Sequence, residues 1–416
     1  MTATPAAMTS GHRTSEPLIA LGLAAGPVVA LGFTRFAYAL LLPAMHDQLH
    51  WTFAAAGGMN TANAIGYILG AATSAWWARR LGGSTAFIWS LLISAVMLLA
   101  TAVTGNYAAL AAIRFIGGAS TAITFVVGSA LAARIHTGNR RHRPAMLVAI
   151  YMAGVGIGIV LSGVVIPATI AGLGTAGWRF GWLAMGILAA LALLPAIWAA
   201  RRTPAPAVAG AGGHERIRLG PLAPTFVWYV LFGAGYVSYM TFIIALLHSE
   251  GLHLGAQAAF FIVLGIASVI GTLTIWSRIT GRLRHGHAPA LVSVIVLIGV
   301  LPVLIWQGLA AALLSAIIFG ATFMAGPTAA TVLARRLLPA HNWTAGIALL
   351  TVAFSVGQAI GPLVSGLLSD TSGGITKGLW LSVILLGVAA VVALLQRDRP
   401  ALPPAATTPP GAIANR

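Results

Sequence analysis

The chain has 416 residues, of which 59% are hydrophobic and only 7% charged. Soluble domains carry about 25% charged residues, so this composition excludes a water-surrounded globule and makes lipid the solvent for much of the surface. The absence of cysteine removes disulfides, thiolate metal sites, Fe–S clusters and a cysteine nucleophile, and the net charge of +17 has to be explained by where it falls along the chain.

Residues 1–17 are polar and read as a short cytoplasmic tail. The apolar stretch that follows runs for about 25 residues, beyond the 7–15 of a signal-peptide core. Apolar runs of spanning length, about 20 residues each, then recur at 18–42, 52–77, 84–103, 107–133, 144–171, 178–199, 225–247, 257–280, 287–306, 309–333, 342–368 and 375–395. Pro167, Pro195, Pro302, Pro327 and Pro362 lie inside these runs, as membrane helices allow. The longest polar break, 201–224, is rich in Pro, Ala and Gly and carries Arg201, Arg202, Arg216 and Arg218. It divides an N-terminal six-helix bundle, 18–200, from a C-terminal one, 225–395, which a cytoplasmic tail, 396–416, follows. The expected fold is all-α, integral to the membrane, with twelve spans.

Cytoplasmic segments of membrane proteins carry an excess of Lys and Arg. With the N-terminus inside, nineteen of the 23 Lys and Arg residues fall in inside segments, including Arg79 and Arg80 after the second span and Arg278, Arg282 and Arg284 after the eighth. Arg179 and Lys377 alone fall outside, and Arg35 and Arg114 lie within helices. This places both termini on the cytoplasmic side of a bacterial inner membrane and accounts for the charge without nucleic acid.

The halves repeat each other. Trp77-Ala-Arg79-Arg-Leu-Gly82 is echoed by Trp276-Ser-Arg278-Ile-Thr-Gly281, at an offset of 199. Gly154, Gly158, Ser162 and Gly163 are echoed by Gly357, Gly361, Ser365 and Gly366, at an offset of 203. His46-Asp47 after the first span matches His248-Ser-Glu250 after the seventh. Parallel repeats of this kind build carriers whose site lies at mid-membrane between the halves.

With these features the sequence resembles the major facilitator superfamily over nearly its whole length. Arg80 and Gly82 match that superfamily's G-x-x-x-D-R-x-G-R turn, although Arg79 stands where it has Asp. Arg114-Phe-Ile-Gly-Gly118 is similar to its R-x-x-Q-G element, with Gly117 for Gln. The fifth-span glycines resemble its antiporter motif, with Ile159 for Pro. Gly32-Phe-Thr-Arg35-Phe-Ala-Tyr38 with Pro43, Gly66-Tyr67-Ile-Leu-Gly70 and Gly357-Gln358-Ala-Ile-Gly361-Pro362 resemble the YbfB/YjiJ-type branch. The resemblance implies two pseudo-symmetric six-helix bundles that rock about a central site, with the first and fourth helices lining it.

Ionisable residues inside a membrane are functional suspects. Arg35 lies eight residues before Pro43, and Arg114 eight residues after Asn106, so each is expected about 12 Å below the outer boundary. No acidic residue shares that depth. Guanidinium binds carboxylate or phosphate bidentately, so the expected substrate is a small organic anion, bound by Arg35, Tyr38, Asn63, Arg114, Tyr151, Tyr239 and Gln358. Asn60, Thr124 and Tyr236 are further polar residues within the spans. Such side chains also join membrane helices to each other. Asp47, Arg79, Arg80, Arg114 and Glu250 are candidates for gating or proton coupling, with His46 and His248 beside them, and the same positions suit ordinary loop residues. A sugar-like metabolite or a drug remains an alternative substrate.

The expected activity is ion-coupled efflux by a secondary carrier, working as a monomer. Neither a cofactor nor a metal is implied. There is no Walker A sequence, no His-Glu-x-x-His and no Gly-x-Ser-x-Gly. An intramembrane enzyme would need a catalytic pair in reach, and every histidine lies in a loop or at a helix end. A non-transporting sensor would need more surface outside the membrane than these short loops offer.

Overall fold

The computed structural model describes residues 16–135, 143–203, 222–280, 282–338 and 343–397. Most of the predicted N-terminal tail, central linker and C-terminal tail lies outside the described residues, as do Arg140, Arg141, Arg216, Arg218 and the start of the eleventh predicted span at 342. Twelve helices occupy the described chain. In order they are α1 (Glu16–Leu49), α2 (Phe53–Leu81), α3 (Gly83–Thr101), α4 (Tyr107–Ala132), α5 (Arg143–Leu173), α6 (Gly177–Ala200), α7 (Ala223–Ser249), α8 (254–279), α9 (His287–Ile305), α10 (Leu309–Leu337), α11 (Trp343–Ser369) and α12 (Gly374–Leu394).

Ten stretches are long and apolar enough to cross a membrane, and one of them, Met146–Ala200, holds both α5 and α6. The helix missing from that set is α2. It carries Asn60, Thr61, Asn63, Arg79 and Arg80, and Asn60 and Asn63 are buried against other helices. The protein is thus a multi-pass membrane protein whose least apolar helix turns its mid-helix asparagines toward other helices and an apolar side outward.

Local chemistry sets the helix ends. Thr52 caps α2 by accepting from Ala55 N at 3.1 Å, and Asn106 caps α4 by accepting from Ala109 N at 3.0 Å, the side-chain role these residues favour. At the turn between α2 and α3, Gly82 takes φ +86°, which costs glycine little. In α10 the helix breaks at Met324, just before Ala325-Gly326-Pro327, because proline cannot donate into the preceding turn.

α1 departs from expectation. The predicted helix stops at 42, before Pro43, yet the observed one passes through Pro43 to Leu49. Residues Val28–Phe36 wind as a π-helix, with the Thr34 hydroxyl donating to Val29 O at 3.0 Å. Arg35 therefore lies fourteen residues from the end of α1 rather than eight before an end at Pro43, about 21 Å along the axis instead of 12. Segments of π-helix are frequent at functional sites.

The sequence repeat has a structural counterpart. Gly154 and Gly158 of α5 face α1, and Gly357 and Gly361 of α11 face α7, so equivalent ladders pack on equivalent helices. The two bundles meet along α2 with α11, along α5 with α8, and where 37–49 of α1 lies on α7. A Cβ on Gly57 of α2 would sit 2.3 Å from the Pro362 carbonyl oxygen of α11. On Gly156 of α5 it would sit 2.6 Å from the Gly265 carbonyl oxygen of α8, and the reverse holds for Gly265. Only glycine lets these backbones touch across the seam.

Candidate functional site

Two arginines sit in the middle of the molecule among aromatic rings. Arg114, on α4, is 4% exposed. One terminal nitrogen donates to the backbone carbonyl of Thr34 in the π-segment, and the other to Asn60 Oδ1 at 3.2 Å. Its guanidinium carbon lies 4.7 Å from the centre of the Tyr38 ring and 5.7 Å from that of Trp182, within cation–π range. Asn60 then donates from Nδ2 to the Thr241 hydroxyl of α7 at 2.7 Å, which ties this network to the other bundle. The Nε of Arg114 is buried without a partner.

Arg35, 8% exposed, occupies a different setting. Its guanidinium lies over the Tyr67 ring of α2 at 5.0 Å, and its polar neighbour from the other bundle is the Tyr236 hydroxyl of α7. Tyr236 stacks on Phe354 of α11 at 5.6 Å and leans on Phe323 of α10 at 5.8 Å. Gln358 Nε2 donates to the same hydroxyl at 3.4 Å, while Gln358 Oε1 is buried with no partner. Among the described residues no carboxylate pairs with either arginine; the one ion pair there joins His46 to Asp47.

The remaining predicted residues divide by what they touch. Tyr38 donates to Ala56 O at 2.9 Å and lies under Arg114. Asn63 donates to Arg114 O at 3.1 Å, joining α2 to α4. Tyr151 donates to Phe125 O at 3.0 Å, joining α5 to α4. Tyr239 pairs with the Ser315 hydroxyl of α10 inside the C-terminal bundle. Thr124 donates to Ser90 at 2.8 Å. The structure brings Arg35, Tyr236 and Gln358 together, and groups Arg114, Tyr38 and Asn63 around a second centre. Tyr151 and Tyr239 belong to neither.

Of the gating candidates, Asp47 accepts from the His46 ring at 3.0 Å at the exposed end of α1. Glu250 follows the last residue of α7, and partial burial raises its carboxyl above the ordinary value. Arg79 and Arg80 are exposed at the end of α2. The residue that links the bundles at this level is Asp370, whose carboxylate accepts from Phe53 N and Ala54 N at the start of α2. Nearby, Phe53 stacks on His46 at 4.4 Å and meets Phe242 of α7 edge-on at 6.1 Å.

The sequence reading missed Thr241, Tyr67, Phe354 and Asp370. Tyr67 shares a face with Asn60 and Asn63 at helical spacing, so periodicity could have found it. Nothing local marks Asp370, whose partners lie more than 300 residues away.

Twelve helices in two like bundles, with a charged centre between them, are the architecture of a carrier. A sequence-family profile described as "Uncharacterised MFS-type transporter YbfB" matches residues 27–394. The chain belongs to this YbfB family of MFS-type transporters. A "chloramphenicol resistance protein" of Streptomyces lividans is 28% identical over 401 residues, 91% of this chain and 95% of that protein. Among solved structures, a point variant of the nucleoside transporter NupG superposes with a TM-score of 0.70 at 17% identity, covering 92% of this chain and 99% of its own. A bacterial homologue of the human lysosomal transporter Spinster, described as inward-facing and unoccupied, gives 0.65 at 15% identity, covering 92% and 98%. At these identities the two structures speak for the fold. As an MFS-type protein the chain binds a small-molecule substrate, and its fold is that of transporters.

Proposed function

We propose that the protein is a secondary carrier that exports a small organic anion by alternating access, with Arg35 as the anion-binding group. The observation that carries this reading is the Arg35 guanidinium, buried between the bundles and faced by Tyr67 from one and Tyr236 from the other, with no described carboxylate beside it. An uncompensated buried cation is costly, and an anionic ligand offsets that cost. The neighbouring Tyr67, Tyr236 and Phe354 rings suit a substrate with an unsaturated or aromatic body. The unpartnered Gln358 Oε1 suits a substrate that also carries an N–H or O–H donor. Arg114 has a different part: it holds the π-segment of α1 to α2 and α4 so that Arg35 keeps its position.

Both termini face the cytoplasm of a bacterial inner membrane in this reading. Phe53, Phe242, His46 and Asp370 then close the outer end. The Streptomyces relative's name supports efflux as the direction. It also supports a second reading, in which the aromatic wall takes an uncharged aromatic drug and Arg35 serves only as a hydrogen-bond donor. Proton coupling would run through rim groups such as Asp47 and Glu250.

Flux into liposomes separates these readings. If the substrate is an anion, Arg35→Ala abolishes uptake of aromatic carboxylates in inverted vesicles, and Arg35→Lys retains a fraction. Transport of carboxylates by Arg35→Ala at the unmodified rate sinks the anion site.

A further inference from the structure

Away from the centre, the outer wall of the N-terminal bundle carries a groove of about 410 Å³ between α2 and α3. Its cause is backbone packing. A Cβ on Gly70 of α2 would lie 2.1 Å from the Ala119 carbonyl oxygen of α4, so α2 and α4 lie against each other. α3 packs chiefly on α4 and α6, and diverges from α2. The walls are Leu69, Thr73 and Trp77 of α2 and Trp89 and Ile93 of α3, over a floor that includes Ala119. The hydroxyls along it are already satisfied, since Thr73 donates to Leu69 O at 2.8 Å and Ser90 to Phe87 O at 3.0 Å. The surface offered to a ligand is therefore apolar, and Leu69 and Trp89 are about half exposed.

One end of the groove is positively charged. Arg80 follows Thr73 by seven residues and Trp77 by three, which puts it on the groove-facing side of α2 one turn further on. Arg79 stands next to it. Both are exposed, and among the described residues neither makes a hydrogen bond or ion pair. Beside them α3 begins without a side-chain cap, and Ala86 of its first turn lines the groove. Exposed Trp76 and Trp77 lie at the same level, as tryptophans do at the edge of a bilayer.

We infer that this groove is a binding site for an anionic phospholipid, with the headgroup phosphate at Arg79 and Arg80 and one acyl chain lying along α2 and α3 over α4. Burial alone does not select such a ligand, because a lipid tail leaves one apolar surface for another. Selection comes from the arginines, since basic residues at the membrane surface favour anionic headgroups about five-fold each. A superfamily member with Asp at position 79 would present a near-neutral pair here; this chain presents two positive charges. The site lies on the lipid-facing side of the bundle, apart from Arg35, and its occupation does not depend on what the carrier moves.

The test is native mass spectrometry of the full-length protein, with bound lipid counted after equilibration with equal phosphatidylglycerol and phosphatidylcholine of matched chains. Wild type is expected to retain phosphatidylglycerol in preference. Arg80→Gln is expected to cut the preference about five-fold, and Arg79→Gln with Arg80→Gln to abolish it. Thr73→Trp, which fills the groove and leaves both arginines, is expected to release the tightly held lipid. Arg278→Gln, at the matching turn of the other bundle, is expected to change nothing. Excess inorganic phosphate is expected not to displace the lipid. Equal retention of the two lipids by wild type, an unchanged ratio in the double variant, or full retention by Thr73→Trp would each overturn the inference.

Discussion

The Asp370 carboxylate at the end of α11 accepts the backbone N–H of Phe53, the first residue of α2, at 2.8 Å. A second bond, from Ala54 N at 2.9 Å, occupies its other oxygen. One bundle thus supplies the anionic cap for a helix of the other. A helix N-terminus carries about half a positive charge, and any motion that parts α2 from α11 at this end must break both bonds.

Losing this cap should loosen the closed end. Asp370→Ala removes about 1–2 kcal/mol of capping, enough to shift the balance of conformations by roughly 5- to 30-fold. The chain lacks cysteine, so Ala245→Cys, a small change at a buried position toward this end of α7, serves as a reporter that leaves the Phe53–Phe242 contact in place. Maleimide labelling of that cysteine should rise when Asp370→Ala is added. Equal labelling rates would show that the cap does not hold the end closed.

The two arginines should separate stability from binding. Arg114 bridges the Thr34 carbonyl, Asn60 and two rings, and a lysine cannot form the same fork. Arg114→Lys is expected to destabilise by about 2–3 kcal/mol and lower the melting temperature in detergent. Arg35→Lys keeps its charge in an aromatic setting and should melt close to wild type. A reversed order would mean that Arg35, rather than Arg114, holds the helices together.

The glycine seam makes a packing prediction. Gly156→Ala puts a methyl 2.6 Å from the Gly265 carbonyl oxygen, so α5 and α8 must move apart, at a cost of about 1–3 kcal/mol. Gly172→Ala, in the same helix with nothing within 4 Å of the added carbon, should be neutral or stabilise by up to about 1 kcal/mol. Melting temperatures of the two variants should fall on opposite sides of wild type, or Gly172→Ala should match it. Equal losses would refute the seam.

Glu250 gives a pH dependence of known sign. Its folded pKa is raised by partial burial, so ionisation disfavours the folded state. That penalty is absent below the unfolded value of 4.5 and grows as pH rises through the raised folded value. Glu250→Gln should therefore melt slightly higher than wild type at neutral pH, with the gap closing below pH ~4.5. The effect is small because much of the side chain meets water. A gap that widens on acidification would contradict the assignment.

The helices were legible because lipid imposes a length and an apolar composition on every span, and the repeat of α5 and α11 was legible because glycine spacing follows backbone contact. Pro43 misled the reading of α1. In water a proline inside a helix is a stop, but in a bundle α1 continues for six residues beyond it, so Arg35 lies further from the helix end than its spacing to Pro43 implied. The π-segment further changes which side of α1 each residue presents, and no spacing rule anticipates that. Tyr151 and Tyr239 looked like site residues because they are polar and in mid-helix. Which way each points depends on helix rotation, set by Gly128 beneath Tyr151 and Ser315 beside Tyr239. Tyr236, three residues from Tyr239, is the one that faces Arg35.

Thermal-shift binding to the purified protein in detergent tests the anion site most directly, with aromatic carboxylates, sugars and uncharged aromatic drugs compared on wild type, Arg35→Lys and Arg35→Ala. A ligand at 100 times its dissociation constant stabilises by about 2.7 kcal/mol, a shift that is readily read. The account predicts that carboxylates stabilise wild type, stabilise Arg35→Lys less, and leave Arg35→Ala unmoved. Stabilisation of Arg35→Ala by carboxylates to the same extent as wild type would contradict it.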